Sequence, residues 1–206
     1  MSGPVREEIR VLHVEDNAEV RELTKTLLER EDDRFSVTTA ASAENGLVRV
    51  EEDRPDCIVS DYNMPATDGI ELLRTVREDY PDLPFILYTG RGSEEVASEA
   101  ISAGVTDYLQ KEGGTSQYTV LANRIENAVE AERSSRRAEQ RRHRLEQILK
   151  TVPACVVQLD AEGRFVFANR RAEAVLGLET DELTDRTYAD PEWDIRDLDG
   201  NPLPEG

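Results

Sequence analysis

Short apolar segments alternate with helical patterns along the N-terminal part of the chain, and this alternation constrains the fold more than any other feature. The predicted strands cover residues 9–14, 34–39, 56–60, 85–88 and 105–110. The predicted helices follow the N-cap Asn17, cover 43–53, 69–80 and 93–103, and begin again near Ser116. The first helix is expected to pack through Val20, Leu23, Leu27 and Leu28. Such strands and helices form βαβ units, and right-handed crossovers predict a doubly wound α/β parallel sheet.

Polar residues stand where the predicted strands end. Glu15 and Asp16 follow the first strand, Asp61 follows the third, Thr89 the fourth and Lys111 the fifth. In a parallel sheet ordered 2-1-3-4-5 the first and third strands are neighbours at the topological switch point, so the three carboxylates are expected to converge. Crowded carboxylates repel one another unless a cation neutralises them, and Mg²⁺ prefers oxygen ligands. The sequence therefore predicts a magnesium site at this edge.

The same residues suit phosphoryl chemistry. A carboxylate such as Asp61 can act as a nucleophile and form an aspartyl phosphate. The ammonium of Lys111 can hold a phosphate oxygen as a point charge, and the Thr89 hydroxyl can donate to another. Taken singly, an acid at a strand end is more often a helix cap or a solvated group. The prediction depends on all these residue types standing at successive strand ends in order.

Residues 9 to about 129 resemble a response-regulator receiver domain, the phospho-accepting part of a two-component system. The matching residues are Glu15-Asp16, Asp61, Met64-Pro65, Asp68-Gly69, Thr89-Gly90 and Lys111. The family's switch aromatic falls at Tyr108, for which plain packing at the sheet edge is the alternative role. This chain departs from the family at Glu112, which stands where a proline usually follows the lysine. Because cis peptides are essentially a proline feature, the resemblance leaves the geometry of the Lys111–Glu112 bond open.

The resemblance implies a flavodoxin-like (βα)5 fold with strand order 2-1-3-4-5 and a phosphorelay function. A partner histidine kinase would supply the phosphoryl group to Asp61 with Mg²⁺ as cofactor. The implied metal ligands are Asp16, Asp61, the main-chain carbonyl of Asn63 and, through water, Glu15. Thr89, Lys111 and Tyr108 would bind the phosphate and switch. The switch would reshape the face made by the fourth helix, fifth strand and fifth helix, which is a candidate homodimer surface.

The last predicted helix continues beyond the receiver-like segment. Its packing face ends near Val129, and arginines dominate residues 130–147 with no Pro or Gly before Pro153. A polar stretch of this kind predicts a helical linker. A dimeric coiled coil through Ala131, Ala138 and Leu145 is the alternative. The arginines are expected to pair with Glu132, Glu139, Glu146 or acidic surface rather than with nucleic acid.

Residues 148–206 resemble the N-terminal part of a PAS domain, a partial α+β segment. The matching residues are Asp160, Gly163, Phe165-Val166-Phe167, Asn169, Ala172, Ala174, Leu176-Gly177, Glu182-Leu183 and Trp193. A hairpin, a short helix after Asn169 and another over 179–183 are expected. Cys155 precedes the hairpin turn and does not match the flavin-binding cysteine motif, so no bound cofactor is expected there. The predicted domains are thus 1–129, 130–147 and 148–206, in what we expect to be a fragment of a longer protein.

The charge balance constrains the partners and the source. The formal net charge is −19, and lysine occurs only at positions 25, 111 and 150. Dense surface acid is screened at molar salt, so this composition predicts a haloarchaeal protein, with an ordinary acidic protein as the alternative. It also opposes direct nucleic-acid binding. Cys57 and Cys155 are expected to be small buried hydrophobes, and the absence of a long apolar segment predicts a cytoplasmic chain without membrane contact.

Other function classes fit the sequence less well. An aspartate-nucleophile phosphatase of the haloacid-dehalogenase type needs an acid two residues after the nucleophile, where Asn63 stands. A transcription factor needs a DNA-binding motif, and a kinase needs an ATP-binding glycine motif, neither of which is visible here. The predicted function is therefore a non-enzymatic response regulator whose receiver acts on a PAS module. The alternative is the receiver–PAS portion of a longer hybrid sensor kinase or transcriptional regulator.

Overall fold

A computed structural model describes residues 7–90 and 93–176, and its centre is a parallel sheet of five strands. The strands are β1 (Ile9–Val14), β2 (Phe35–Ala40), β3 (Cys57–Ser60), β4 (Phe85–Thr89) and β5 (Asp107–Gln110). Their order in the sheet is β2-β1-β3-β4-β5, and every neighbouring pair is parallel. The predicted doubly wound fold and strand order are confirmed.

Each of the first four strands leads into a helix whose start is capped by a side chain, at the first helix by the predicted Asn17. The helices are α1 (Ala18–Glu31), α2 (Ala43–Asp53), α3 (Gly69–Asp79), α4 (Glu94–Ser102) and α5 (Ser116–Thr151). Asn17 and Ser93 cap α1 and α4 by accepting hydrogen bonds from main-chain N–H groups of the first turn. Asp68 and Glu71 form a reciprocal capping box at the start of α3. These caps fix where α1, α3 and α4 leave the sheet edge.

The sheet is covered by helices on both faces, so its central strands are buried throughout. All residues of β3 and β4 are buried. One face packs against α2 and α3 through residues such as Leu12 and Leu72, and the other packs against α5 through Leu121 and Ile125. Because both faces of the central strands are buried, their sequences are almost continuously apolar.

The predicted packing face of α1 is partly wrong. Leu23 is 50% exposed, whereas Thr24 and Leu28 are fully buried. Residues 24 and 28 are four apart and share one side of the helix, while residue 23 lies about 100° around it. The polar Thr24 therefore occupies a core position that hydrophobicity alone does not indicate.

The contacts divide the chain into an N-terminal unit, Met1–Arg136, and a C-terminal unit, Arg137–Gly206. Helix α5 continues through the boundary without interruption. Along it, Arg136 pairs with Glu132 at 2.6 Å, and Arg142 lies 3.7 Å from Glu139 and 3.8 Å from Glu146. The arginine-rich segment thus forms the pairs with nearby glutamates that its spacing predicts.

In its described part, the C-terminal unit holds an antiparallel hairpin of β6 (Val157–Leu159) and β7 (Phe165–Ala168), followed by α6 (Arg170–Leu176). The Asp160 side chain accepts hydrogen bonds from the N–H groups of Glu162 and Arg164, which closes the hairpin turn. Cys155 is exposed rather than buried as predicted, because it precedes β6 instead of lying within the hairpin. The predicted helix over 179–183 lies outside the described residues.

No helix in the described ranges combines the length and the apolar character that a membrane span requires. Even α5, with 36 residues, is too rich in charged side chains.

Candidate functional site

The ends of β1 and β3 bring two acids side by side. Val14 lies opposite Ser60 in the parallel register, and the Asp61 N–H donates to the Val14 carbonyl at 2.9 Å. Glu15 follows β1 and Asp61 follows β3, so the two acids stand side by side at the carboxyl edge of the sheet. Glu15 is 3% and Asp61 7% exposed. Such buried carboxylates need a counter-charge.

Lys111 supplies that charge. Its Nζ lies 2.6 Å from Oε2 of Glu15 and 2.6 Å from Oδ1 of Asp61. Burial opposes the charge of this ammonium, but its hydrogen bonds with Asp61 and Glu15 outweigh burial and raise the pKa of Lys111. The lysine is therefore a cation at neutral pH. It joins three strand ends that the sequence separates by up to 96 positions.

The loop after β3 holds the second oxygen of Asp61. The Asn63 N–H donates to Oδ2 of Asp61 at 2.7 Å. The Gly69 N–H in turn donates to the Tyr62 carbonyl at 2.9 Å, which ties the end of this loop to its beginning. A Cβ on Gly69 would lie 2.2 Å from the Asp61 carbonyl oxygen, so only glycine fits at this approach. The Asp61 carboxylate is thus held at both oxygens.

Asp16 is placed differently from its neighbour. Its side chain is exposed, and the structure does not bring it into the ion pair around Lys111. Arg21, which the sequence analysis did not single out, donates to the main-chain carbonyls of Glu15 at 2.7 Å and Asp16 at 3.3 Å. Arg21 lies one turn into α1, so this contact depends on how the helix packs and carries no local sequence signal.

Thr89 and Tyr108 lie on the neighbouring strands. Thr89 ends β4 with 1% exposure, and its carbonyl accepts a hydrogen bond from the Lys111 N–H at 2.8 Å. Tyr108 on β5 is half-buried against the core, and its hydroxyl is buried with no hydrogen-bond partner in the described ranges. The described residues contain no cis peptide, so the Lys111–Glu112 bond, which the sequence left open, is trans.

An open cleft of about 600 Å³ leads to these residues. It is lined by Tyr62, Asn63, Gly90, Ser93, Val96, Gln110 and Lys111. The lining therefore comes from the loops after β3 and β4, the start of α4 and the end of β5 with Lys111. The cleft gives a ligand of the size of a phosphoryl group access to Lys111 from solvent.

The residues present fit a hard divalent cation by their chemistry. Glu15, Asp16 and Asp61 bring three negative charges, and Lys111 and Arg21 bring two positive charges, which leaves one negative charge uncompensated. Carboxylate and carbonyl oxygens are the ligands that Mg²⁺ prefers. Within residues 7–90 and 93–176, no three His, Cys, Asp or Glu side chains already converge as a prearranged cage. A cation here would therefore share the acids with Lys111.

Two family models match the chain. The model described as the response regulator receiver domain matches residues 11–123, and the model described as the PAS fold matches residues 143–198. The first match covers more than half of the chain and contains every candidate site residue. The second begins within α5 and includes the β6–β7 hairpin.

Individual relatives agree with the first match. The chain is 30% identical over 134 residues to a probable C4-dicarboxylate response regulator of Halalkalibacterium halodurans, covering 62% of this chain and 58% of that protein. It is 34% identical over 131 residues to a C4-dicarboxylate transport transcriptional regulatory protein of Rhizobium meliloti, covering 62% of this chain and 28% of that protein. A CheY-like receiver domain structure from Methanospirillum hungatei matches with a TM-score of 0.56 and 26% identity, covering 63% of this chain and 99% of that one.

Proposed function

Because the chain belongs to the response regulator receiver domain family, we propose that Asp61 accepts a phosphoryl group from a partner histidine kinase. The observation that carries this proposal is the buried Asp61 carboxylate with Lys111 Nζ 2.6 Å from its Oδ1. A strand-end carboxylate held by a lysine at the end of an open cleft is suited to nucleophilic attack on phosphorus. The PAS fold adds a sensor or output module to the receiver.

In the proposed reaction, a carboxylate oxygen of Asp61 attacks the phosphorus of a phosphohistidine. A P–O bond forms as the P–N bond breaks, and the imidazole nitrogen keeps the bonding electrons. The Lys111 ammonium, already at Asp61, stabilises the negative charge that gathers on the phosphoryl oxygens. The Asn63 N–H orients the carboxylate, and the Thr89 hydroxyl donates to a phosphoryl oxygen. The chain is a phospho-acceptor and turns over no separate substrate.

The remaining charge at the site leads us to include Mg²⁺ as the cofactor. Asp16, Asp61, the main-chain carbonyl of Asn63 and, through water, Glu15 would hold it. When bound, the cation supplies the positive charge that two buried carboxylates and an incoming phosphoryl group require. Arg21 fixes the main chain of Glu15 and Asp16, so both acids are oriented before a ligand arrives.

Phosphorylation at Asp61 is tested with a small phosphodonor such as acetyl phosphate. We expect one phosphoryl group per chain, mapped to Asp61 by mass spectrometry, only when Mg²⁺ is present. Asp61→Asn should abolish the adduct because the amide is not a nucleophile. Asp82→Asn, which removes an exposed acid outside the site, is the matched control and should be modified like the wild type. An adduct on the Asp61→Asn chain would overturn the assignment.

The signal is proposed to travel along α5 to the PAS module. Switching at Thr89 and Tyr108 would change the surface formed by α4, β5 and α5, through which the chain would dimerise, with the arginine-rich part of α5 as a second dimer surface. Helix α5 carries that change because it runs from Ser116 to Thr151 as a single helix. In this proposal the domains keep the predicted bounds 1–129, 130–147 and 148–206.

Breaking α5 should uncouple the two modules. Inserting Gly-Gly-Ser-Gly between Ser134 and Ser135 weakens the helix by about 1 kcal/mol per glycine relative to alanine. We expect Asp61 phosphorylation to remain, while phosphorylation no longer changes the oligomeric state measured by light scattering. A seven-residue helical insertion at the same place nearly preserves the helix phase and is the control. If the glycine insertion retains the response, the segment is only a tether.

The acidic composition supports a halophilic, haloarchaeal source as a further proposal. Charge of one sign destabilises the compact state, and molar salt shortens the Debye length to ~3 Å. The melting temperature is therefore expected to rise by about 5 °C or more between about 0.1 M and about 2 M KCl. Sucrose at matched osmolality, which does not screen charge, should give a smaller rise. A flat or falling melting curve in KCl would contradict the halophile proposal.

A second candidate function is the receiver–PAS portion of a longer regulator or hybrid sensor kinase. The chain spans 58% of the length of one relative and 28% of another. The second of these relatives is a transcriptional regulatory protein. Under either proposal the chain acts in the cytoplasm, where a kinase and Mg²⁺ are available, without direct contact with nucleic acid or membrane.

A further inference from the structure

The loop that carries Lys111 to α5 receives little support from packing. A Cβ atom at Gly113 or Gly114 would meet nothing within 4 Å, and Gly114 has a φ of +98° that favours glycine. Two adjacent glycines without neighbours leave a loop conformationally free unless hydrogen bonds hold it. Glu15, Asp61 and the Thr89 carbonyl hold Lys111 itself, but the loop that follows it requires another support.

Gln117, in the first turn of α5, provides one anchor for this loop. Its Nε2 donates to the Gly114 carbonyl at 2.8 Å, and its Oε1 accepts from the Tyr88 hydroxyl at 2.5 Å. The orientation of the amide follows from its partners, because a carbonyl can only accept and the phenol must then donate. Burial, with Tyr118 nearby, raises the pKa of Tyr88, so the phenol keeps the proton that it donates.

Tyr88 also contacts Lys111 directly. The Lys111 Nζ lies 5.4 Å from the centroid of the Tyr88 ring, within the range of a cation–π interaction. Tyr88 is 2% exposed and precedes Thr89 on β4, so the sheet fixes its ring. The face of the Tyr88 ring thus contacts the Lys111 ammonium. The Tyr88 hydroxyl anchors the loop after Lys111 through Gln117.

We propose that Tyr88 and Gln117 are positioning residues that hold Lys111 at the acceptor carboxylate. The Tyr88 ring holds the Lys111 ammonium beside Asp61, and Gln117 holds the loop that follows Lys111. Neither residue touches the phosphoryl group, so both act through Lys111. The consequence for phosphorylation rests on the proposed function, whereas the position of Lys111 itself does not.

The position of Lys111 can be observed separately from the reaction. The chain has lysine only at positions 25, 111 and 150, so ¹³C labelling of the lysine ε-methylenes gives a spectrum of three sites. We expect the Lys111 methylene to be shifted upfield by the Tyr88 ring. Tyr88→Phe keeps the ring and should keep most of this shift, whereas Tyr88→Leu should abolish it. An unchanged shift in Tyr88→Leu would overturn the ring contact.

The loop anchor is tested by Gln117→Ala. Gln140→Ala, on an exposed part of the same helix, is the matched control. We expect Gln117→Ala and Tyr88→Phe each to slow acetyl phosphate labelling of Asp61 about fivefold, the effect of one hydrogen bond. Gln117→Ala should also move the Lys111 methylene signal toward those of Lys25 and Lys150.

The outcomes separate the two proposals. If Gln117→Ala matches Gln140→Ala in both rate and spectrum, the positioning role is refuted. If the wild-type chain is never labelled at Asp61 but the Lys111 signal responds as expected, the proposed function fails and the positioning of Lys111 stands. Circular dichroism of each variant checks that the fold persists, and the mild Tyr88→Phe variant decides the question if Tyr88→Leu does not fold.

Discussion

Replacing Gly69 by alanine is expected to destabilise the N-terminal unit by about 3 kcal/mol or more. The new Cβ would lie 2.2 Å from the carbonyl oxygen of Asp61 and 2.8 Å from Cδ2 of Leu87. The first of these is a main-chain atom directly after β3, so either α3 or Asp61 must move to relieve the clash. The free energy of unfolding from a urea titration measures the loss.

Gly113→Ala is the matched control for this substitution. A Cβ at Gly113 would meet nothing within 4 Å. Gly113 is also not among the described glycines that have a positive φ. Its stability should stay within about 0.5 kcal/mol of the wild type. Equal losses in both variants would show that the close approach at Gly69 is unimportant. Because the clash is with Asp61 itself, Gly69→Ala should also slow phosphorylation of the protein that remains folded.

The fold was predictable because its signals are local. Apolar segments and a cap such as Asn17 mark the elements, and the alternation of strands and helices leaves few topologies. On α1, the prediction that Leu23 is buried was wrong. An amphipathic pattern with several leucines does not determine how the helix is rotated against the sheet. Only the packing of the folded chain determines that Thr24 is buried and Leu23 is half-exposed.

The site was predictable only as far as the strand ends determine it. The sequence places Glu15 and Asp61 at the ends of the neighbouring strands β1 and β3, and Lys111 reaches them from the same edge of the sheet, beyond β4. Arg21 and Gln117 were missed because each acts from the first turns of a helix on a main-chain carbonyl elsewhere. Both contacts join a helical side chain to the loop just before its helix, and hydrophobic periodicity gives no signal for them. The exposed position of Asp16 depends on the same loop geometry.

His13 gives the N-terminal unit a specific sensitivity to acid. It lies on β1 with no exposed surface, and neither ring nitrogen has a hydrogen-bond partner among the described residues. Burial, together with the nearby positive charges of Lys111 at the end of β5 and Arg21 on α1, lowers the pKa of His13 from 6.5 to about 3. The folded chain therefore keeps this imidazole neutral at pH values where the unfolded chain protonates it.

Leucine in place of His13 should remove this sensitivity. Between pH 6.5 and about 3 the unfolded wild-type chain binds one proton more at His13 than the folded chain, so stability falls as the pH falls. The slope from this residue approaches about 1.4 kcal/mol per pH unit. His13→Leu should be close to wild type at pH 7, since two unpaired buried nitrogens are lost, and should become progressively more stable than wild type below pH 6.5. His143→Leu, which replaces an exposed histidine on α5, is the control. Urea titrations of the three proteins at several pH values measure these differences, and parallel pH profiles for wild type and His13→Leu would show that His13 is protonated within the fold.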